Sequence, residues 1–290
     1  MHGFWIVVLF IFGSIFGSFL NVCIYRLPRD RSPMKPTRSY CPHCHELIAW
    51  YDNIPLVSWF VLGAQCRHCG SYISARYVIV EFLTACLFAL TYAVLSARGE
   101  PTGVLVVYLG LMGMFVLSSF VDAELRIIPD SVTIGAMMFA PICSILVPEL
   151  HRNPTKLLDD GRSVIVPMGR TFLFSSDTVL GPLCACLVGM VIGALATWLA
   201  GALGKFMFRR EAMGIGDVKF MAALGGFLGW QPLLLTFFMA PLLGAVIGLI
   251  HMARTKDHHI PYGPFLSIAA AVAMLWGDRI FALLGFARFM

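Results

Sequence analysis

Phe120-Val121-Asp122-Ala123-Glu124-Leu125-Arg126-Ile127-Ile128-Pro129-Asp130 joins two long apolar runs, 102–121 and 131–148. It places carboxylates at the edge of segments built to lie in lipid. Ionisable side chains are costly there and mark function by default. Gly214-Ile215-Gly216-Asp217-Val218-Lys219 does the same at the start of another apolar run. Two aspartates on different helices that share one proton meet the requirement for aspartyl proteolysis. The plain alternative is a pair of helix-end residues held by caps or salt bridges.

The rest of the chain has the same character. Of its 290 residues, 59% are hydrophobic and only 13% are charged, where a soluble domain carries about 25% charged residues. Mean hydropathy is +0.81. The fold class is therefore all-α: a polytopic helical membrane protein. A spanning helix needs about 20 apolar residues. The candidate spans are 4–25, 76–97, 102–121, 131–148, 178–203, 218–231, 233–252 and 262–286, about eight transmembrane helices. The sixth is short and glycine-rich. The first run has no basic leader-like start and is closed by polar Asn21, so it reads as a retained span. The expected organisation is a first helix at 1–25, a cytoplasmic metal-binding domain at 26–75 and a membrane core at 76–290. The net charge of +5 does not call for nucleic acid.

The distribution of lysine and arginine sets the expected orientation. Arg26, Arg29, Arg31, Lys35, Arg38 and Arg67 lie between the first two spans. With eight spans, Arg126, Lys205, Arg209, Arg210, Arg254 and Lys256 fall on the same side. Arg98 and Arg288 fall opposite, with the basic residues of the longer 149–177 loop. This bias makes 26–75 cytoplasmic and both termini periplasmic, with Asp122 and Asp217 near the cytoplasmic face. Glycines recur four apart at Gly13/Gly17, Gly189/Gly193, Gly225/Gly229 and Gly244/Gly248. Such pairs mark close helix crossings, either a homo-oligomer seam or packing inside one bundle.

Four of the nine cysteines are patterned. Cys41-Pro42-His43-Cys44 is followed, after 21 intervening residues, by Cys66-Arg67-His68-Cys69. Two such knuckles resemble a four-cysteine zinc ribbon. Disulfides are disfavoured on a reducing cytoplasmic face. Four thiolates close a zinc site, so the expected metal is structural. It would hold together a loop of about 50 residues that is too short to build a good core. His43, His45 and His68 are alternative ligands. Cys23, Cys86, Cys143, Cys184 and Cys186 read as small buried side chains. Asp130 reads as the cap of the helix that follows it, and Lys219 as a headgroup anchor or a group that biases the pair of aspartates. Glu81, inside the second span, is expected to pair with Arg76. His258-His259 reads as a solvated loop pair. The chain has no His-Glu-x-x-His, no Gly-x-Ser-x-Gly and no phosphate-binding glycine loop, which argues against zinc-protease, serine-hydrolase and nucleotide chemistry.

Taken in order, these motifs resemble the bacterial type IV prepilin peptidases. The resemblance runs nearly end to end. It includes Gly17-Ser18-Phe19-Leu20-Asn21-Val22-Cys23-Ile24-Tyr25-Arg26-Leu27-Pro28, and the two knuckles around Asn53-Ile54-Pro55-Leu56-Val57-Ser58-Trp59. Asp122 with its Ile128-Pro129-Asp130 tail follows, then Gly-x-Gly-Asp at 214–217 with Lys219, and Gly263-Pro264-Phe265. The resemblance implies that Asp122 and Asp217 are the catalytic pair and that Cys41, Cys44, Cys66 and Cys69 bind zinc. It also implies cleavage of the basic leader of prepilins or pseudopilins after a glycine, and methylation of the new N-terminus with S-adenosylmethionine. The inner membrane and its lipid would be the setting. Asn53, Ser58 and Glu81 are candidates for the cofactor's neighbourhood. Two positions depart from the family pattern: Glu124 replaces a usual aspartate, and Arg76-Tyr77-Val78 lacks a usual proline. The alternative function class is a proton-coupled transporter with a cytoplasmic zinc ribbon.

Overall fold

The computed structural model describes residues 2–35, 38–151, 156–157, 163–164, 180–209, 213–255 and 261–284. Each expected apolar span is a helix. They are α1 (His2–Arg26), α3 (Arg76–Arg98), α4 (Thr102–Leu125), α5 (Asp130–Leu146), α6 (Leu180–Phe208), α7 (Ile215–Leu228), α8 (Trp230–Thr255) and α9 (Gly263–Leu283), with a short α2 (Val57–Val61) between the first two. Among the described residues, the strands are a two-residue antiparallel pair, β1 (Lys156–Leu157) and β2 (Ser163–Val164). Six helices are long and apolar enough to cross a membrane: α1, α3, α4, α6, α8 and α9. Helices α5 and α7 have 17 and 14 residues, or about 26 and about 21 Å at 1.5 Å per residue, short of a hydrocarbon core of about 30 Å. The chain divides into two compact units, Met1–Val121 and Asp122–Met290.

In the first unit, α1 and α3 pack antiparallel, and glycine sets their register. A Cβ on Gly13 would lie 2.8 Å from the Ala85 backbone, and one on Gly17 would lie 2.7 Å from that of Glu81. One further turn along α1, Asn21 Nδ2 donates to the Tyr77 carbonyl at 3.0 Å. Each four-residue step up α1 matches a four-residue step down α3. Phe16 and Phe88 fill the space beside the glycines with ring centroids 5.5 Å apart. The missing proline at 78 does not delay α3, which begins at Arg76.

In the second unit, α7 is the core. Every residue from Phe220 to Leu228 is buried. A helix apolar all round belongs in an interior, which is why its short, glycine-rich run carries no amphipathic pattern. Gly189 on α6 meets the Gly225 backbone, and Gly193 meets that of Met221, again antiparallel. Gly226 presses on Ala140 of α5 and Met190 of α6. The pairs at 13/17 and 189/193, together with Gly225, therefore serve packing inside the chain. Gly229, at φ 73, ends α7 in a conformation only glycine adopts without strain, and α8 starts at the next residue.

Candidate active site

Asp122 sits in the last turn of α4. That turn closes when the Arg126 N–H donates to the Asp122 carbonyl at 2.8 Å, with Arg126 in the left-handed region at φ 58. Pro129 keeps Ile128 out of the helical conformation, so the chain runs extended to Asp130 before α5 begins. The Asp122 side chain is buried. Its Oδ2 accepts the N–H of Gly263 at 2.7 Å, across 141 residues of sequence. Gly263 is the first residue of α9, where backbone N–H groups have no partner inside the helix and favour an anion. A Cβ on Gly263 would lie 2.8 Å from that carboxylate oxygen and 2.9 Å from Asp122 Cβ. Only glycine fits.

Asp217 occupies the first turn of α7. Its Oδ2 accepts the Gly214 N–H at 3.2 Å, and its own N–H donates to the Gly214 carbonyl at 3.2 Å. Both carboxylates thus cap helix starts. Each does so with Oδ2, leaving Oδ1 unbonded among the described residues. Asp217 lies close enough to Asp122 to feel its charge. The cap reading and the functional reading therefore hold at once: caps orient the carboxylates without consuming them. Packing does not demand glycine at 214 or 216. A Cβ there would come no nearer than 3.5 Å to Asp217 Oδ2 and to Ile128, respectively. The bare backbone beside Asp217 is open to another chain.

Two residues acquire roles that the sequence left unassigned. Gly263 belongs to a recognised motif, but its amide contact with Asp122 depends on the tertiary fold. Tyr262, just before it, is the half-buried cap residue of α9.

Several expectations are corrected. Asp130 does not cap α5. Pro129 is the cap residue, and Asp130 is the first helical residue. Lys219 binds both Asp130 oxygens at 2.8 Å, so it is neither a free headgroup anchor nor a partner of the dyad. This pair ties the start of α7 to the start of α5. Its side chains are 31% and 61% exposed, and exposed pairs contribute only about 0–1 kcal/mol. Lys219→Met or Asp130→Asn should lower whatever activity the two aspartates carry by no more than about fivefold, which a time course of that activity in each variant would check. Glu81 turns to the Leu56 N–H at 2.8 Å and to Ser18, in place of Arg76. His258 and His259, and most of the 149–177 loop, lie outside the described residues.

The cysteine knuckles fold alike. Cys41 N–H donates to Glu46 O at 2.9 Å and His45 N–H to Cys41 O at 2.9 Å. Cys66 N–H donates to Ser71 O at 2.8 Å and Gly70 N–H to Cys66 O at 2.9 Å. His45 and Gly70, each four residues past the first cysteine of its knuckle, both take positive φ. All four sulfurs lie within 4.8 Å of one another, with Cys41 and Cys69 at 3.8 Å. A tetrahedral zinc with bonds of about 2.3 Å sets its sulfurs about 3.8 Å apart. The donor set and its spacing fit that ion. Among the described residues, this is the one metal-compatible cluster, and no histidine belongs to it.

A family model described as the bacterial peptidase A24 N-terminal domain matches residues 11–95, and one described as the Type IV leader peptidase family matches residues 109–249. The chain is 33% identical to a protein of Aeromonas hydrophila named prepilin leader peptidase/N-methyltransferase, over 94% of this chain and 91% of that one. It is 32% identical to a protein of the same name from Pseudomonas aeruginosa, over 92% and 89%. A Myxococcus xanthus protein of that name is 36% identical over 86% of this chain and 64% of its own length. No solved structure matches the chain.

Proposed function

Because the chain belongs to the Type IV leader peptidase family, we propose that it removes the basic leader of prepilins or pseudopilins and then methylates the new N-terminus. Asp122 and Asp217 carry the cleavage. The observation that supports this most is the pair of half-used carboxylates: each is fixed by a backbone amide through Oδ2 and leaves Oδ1 for chemistry. The ionised member takes a proton from water as it attacks the scissile carbonyl. The protonated member donates its proton to the carbonyl oxygen; the member that took water's proton then passes it to the leaving amine, as the first recovers a proton from the collapsing gem-diol. The two titrate as a unit, so the roles belong to the pair. An extended substrate lies along the open backbone at Gly214–Gly216. The relatives' names give no support to the transporter reading. The protein sits in the inner membrane with α5 and α7 completing eight crossings as short spans, the pair at its cytoplasmic face and both termini periplasmic. Gel-shift analysis of a co-expressed prepilin against each aspartate variant tests the cleavage.

Cys41, Cys44, Cys66 and Cys69 hold one zinc ion, which organises residues 26–75 and takes no part in cleavage. Structural zinc contributes folding free energy directly. Cys41→Ser or Cys66→Ser should lose the metal and open the domain to protease. Metal analysis of the purified protein checks this, and less than about half an equivalent in the intact protein would sink it.

The methyl donor is S-adenosylmethionine, whose sulfonium supplies the methyl group. The polar cluster of half-buried Ser18 with buried Asn21 and Glu81, beside the Leu56 amide, fits a cationic, amine-bearing ligand. Glu81 is a buried carboxylate, and the buried Asn21 Oδ1 has no partner. Asn53 is exposed at the end of the Trp50–Asn53 turn, three residues before Leu56. Ser58 helps to shape the segment, accepting the Ile54 N–H at 2.8 Å and donating to Tyr51 O at 3.1 Å. Glu81→Gln, Ser58→Ala and Asn53→Ala should reduce methylation at least about tenfold more than cleavage, as separate sites require. Mass spectrometry of the processed pilin reads both events. Equal loss of both, at normal protein levels, would remove this assignment.

A further inference from the structure

Helix α2 is inside out for a helix on a soluble domain. Its polar residue Ser58 is buried, while Val57, Phe60 and Val61 face outward, Phe60 and Val61 being 68% and 72% exposed. These three follow the i, i+3, i+4 spacing of a single helix face. The inward face is fully used. Ser58 Oγ closes the turn to Ile54 and Tyr51, and Trp59 Nε1 donates to the Ile73 carbonyl at 3.0 Å. The preceding turn, Trp50–Asn53, displays Trp50 at 81% exposure with Tyr51 beside it. This turn is rigidly mounted. Asp52 takes a bidentate pair from Arg67 of the second knuckle at 2.6 and 2.7 Å.

The level of this apolar face is also fixed. Leu56 adopts the rare positive-φ γ-turn, with φ 65 and ψ −50, and Val57 N–H donates to Pro55 O at 2.7 Å. The strained turn is held by the bond from Leu56 N–H to Glu81. Glu81 is five residues into α3, about 7.5 Å along its axis, and helix side chains lean back toward the N-terminus. The γ-turn is therefore pinned level with the first turns of a membrane-spanning helix, where hydrocarbon gives way to headgroups. Arg26, Arg29, Arg31, Lys35 and Arg38 follow the end of α1 with only Asp30 among them. That is the charge complement of an anionic lipid surface.

We infer that α2 and the Trp50–Tyr51 turn form a membrane-interface anchor, with Val57, Phe60, Val61 and Trp50 seated among the headgroups and upper acyl chains of anionic lipid. This rests on α1 and α3 crossing the membrane. Tryptophan and tyrosine concentrate at that level, and an amphipathic helix there buries its apolar face by about 5–10 Å. The anchor would hold the metal-bearing domain flat on the membrane surface.

The test uses the full chain in vesicles of phosphatidylethanolamine and phosphatidylglycerol, with p-benzoylphenylalanine placed singly at Phe60, Trp50, His68 or Phe82. After irradiation, adducts are identified by mass. Phe60 and Trp50 should yield lipid adducts at least about tenfold above His68, an exposed polar position of the second knuckle. Phe82, an exposed residue of α3, reports on the span itself. Lipid adducts at Phe82 with none at Phe60 would overturn the anchor while leaving the membrane fold intact. Absence at both would overturn the membrane placement as well. Adducts from Phe60 to protein, either a second copy or an added prepilin, would overturn the lipid assignment in favour of a docking surface.

Discussion

Asp122→Asn and Asp217→Asn should each abolish leader cleavage while leaving the protein folded in the membrane. Asparagine keeps the shape and can still accept the Gly263 or Gly214 amide through its carbonyl oxygen, so the caps at the starts of α9 and α7 survive. It cannot take up or release a proton, so general acid–base chemistry stops. Glutamate should fail nearly as completely. Its extra methylene moves the carboxyl by about an ångström, and misplacement on that scale costs about a hundredfold. Glu124→Gln should be mild, because Glu124 is exposed and is not part of the pair. Processing of a co-expressed prepilin, followed by gel shift, measures all of these.

The second large effect belongs to a residue with no side chain. Gly263→Ala should reduce cleavage at least about a hundredfold. The new methyl would sit 2.8 Å from Asp122 Oδ2 and 3.0 Å from its carboxyl carbon. Either the carboxylate rotates away or α9 shifts, and both break the 2.7 Å bond that aims Asp122. Gly216→Ala is the control. Its Cβ meets Ile128 at an ordinary 3.5 Å, so any loss there reports on substrate access and leaves the carboxylate in place. Wild-type cleavage by Gly263→Ala, with normal expression, would show that the amide of α9 does not position Asp122.

The long apolar runs made the helices legible, because length and hydropathy suffice to identify a helix in lipid. The two cysteine knuckles and both aspartates were legible from spacing and from the cost of charge beside apolar segments. What the sequence hid was pairing. The Gly263–Asp122 bond spans 141 residues, and nothing local announces it. Asp130 looked like a cap because a short acid often precedes a helix, whereas Pro129 already supplies the extended residue and frees Asp130 for Lys219. Glu81 looked like a partner for Arg76 along one helix, but a backbone amide from the knuckle loop takes that place. The limits of α7 were blurred because a helix buried on all sides has no polar face to mark its ends. Helix α2 escaped notice for a related reason: at five residues it is too short to show a period.

The central claim is that Asp122 and Asp217 share one proton while they cut. The most direct test is the pH dependence of kcat/KM for leader cleavage by the purified chain in proteoliposomes, between about pH 4 and pH 9. A shared proton predicts a bell. The rate rises as the pair loses its first proton and falls as it loses the second, with both apparent pKa values belonging to the pair. A rate that is flat, or that changes with only one limb across this range, would contradict the account.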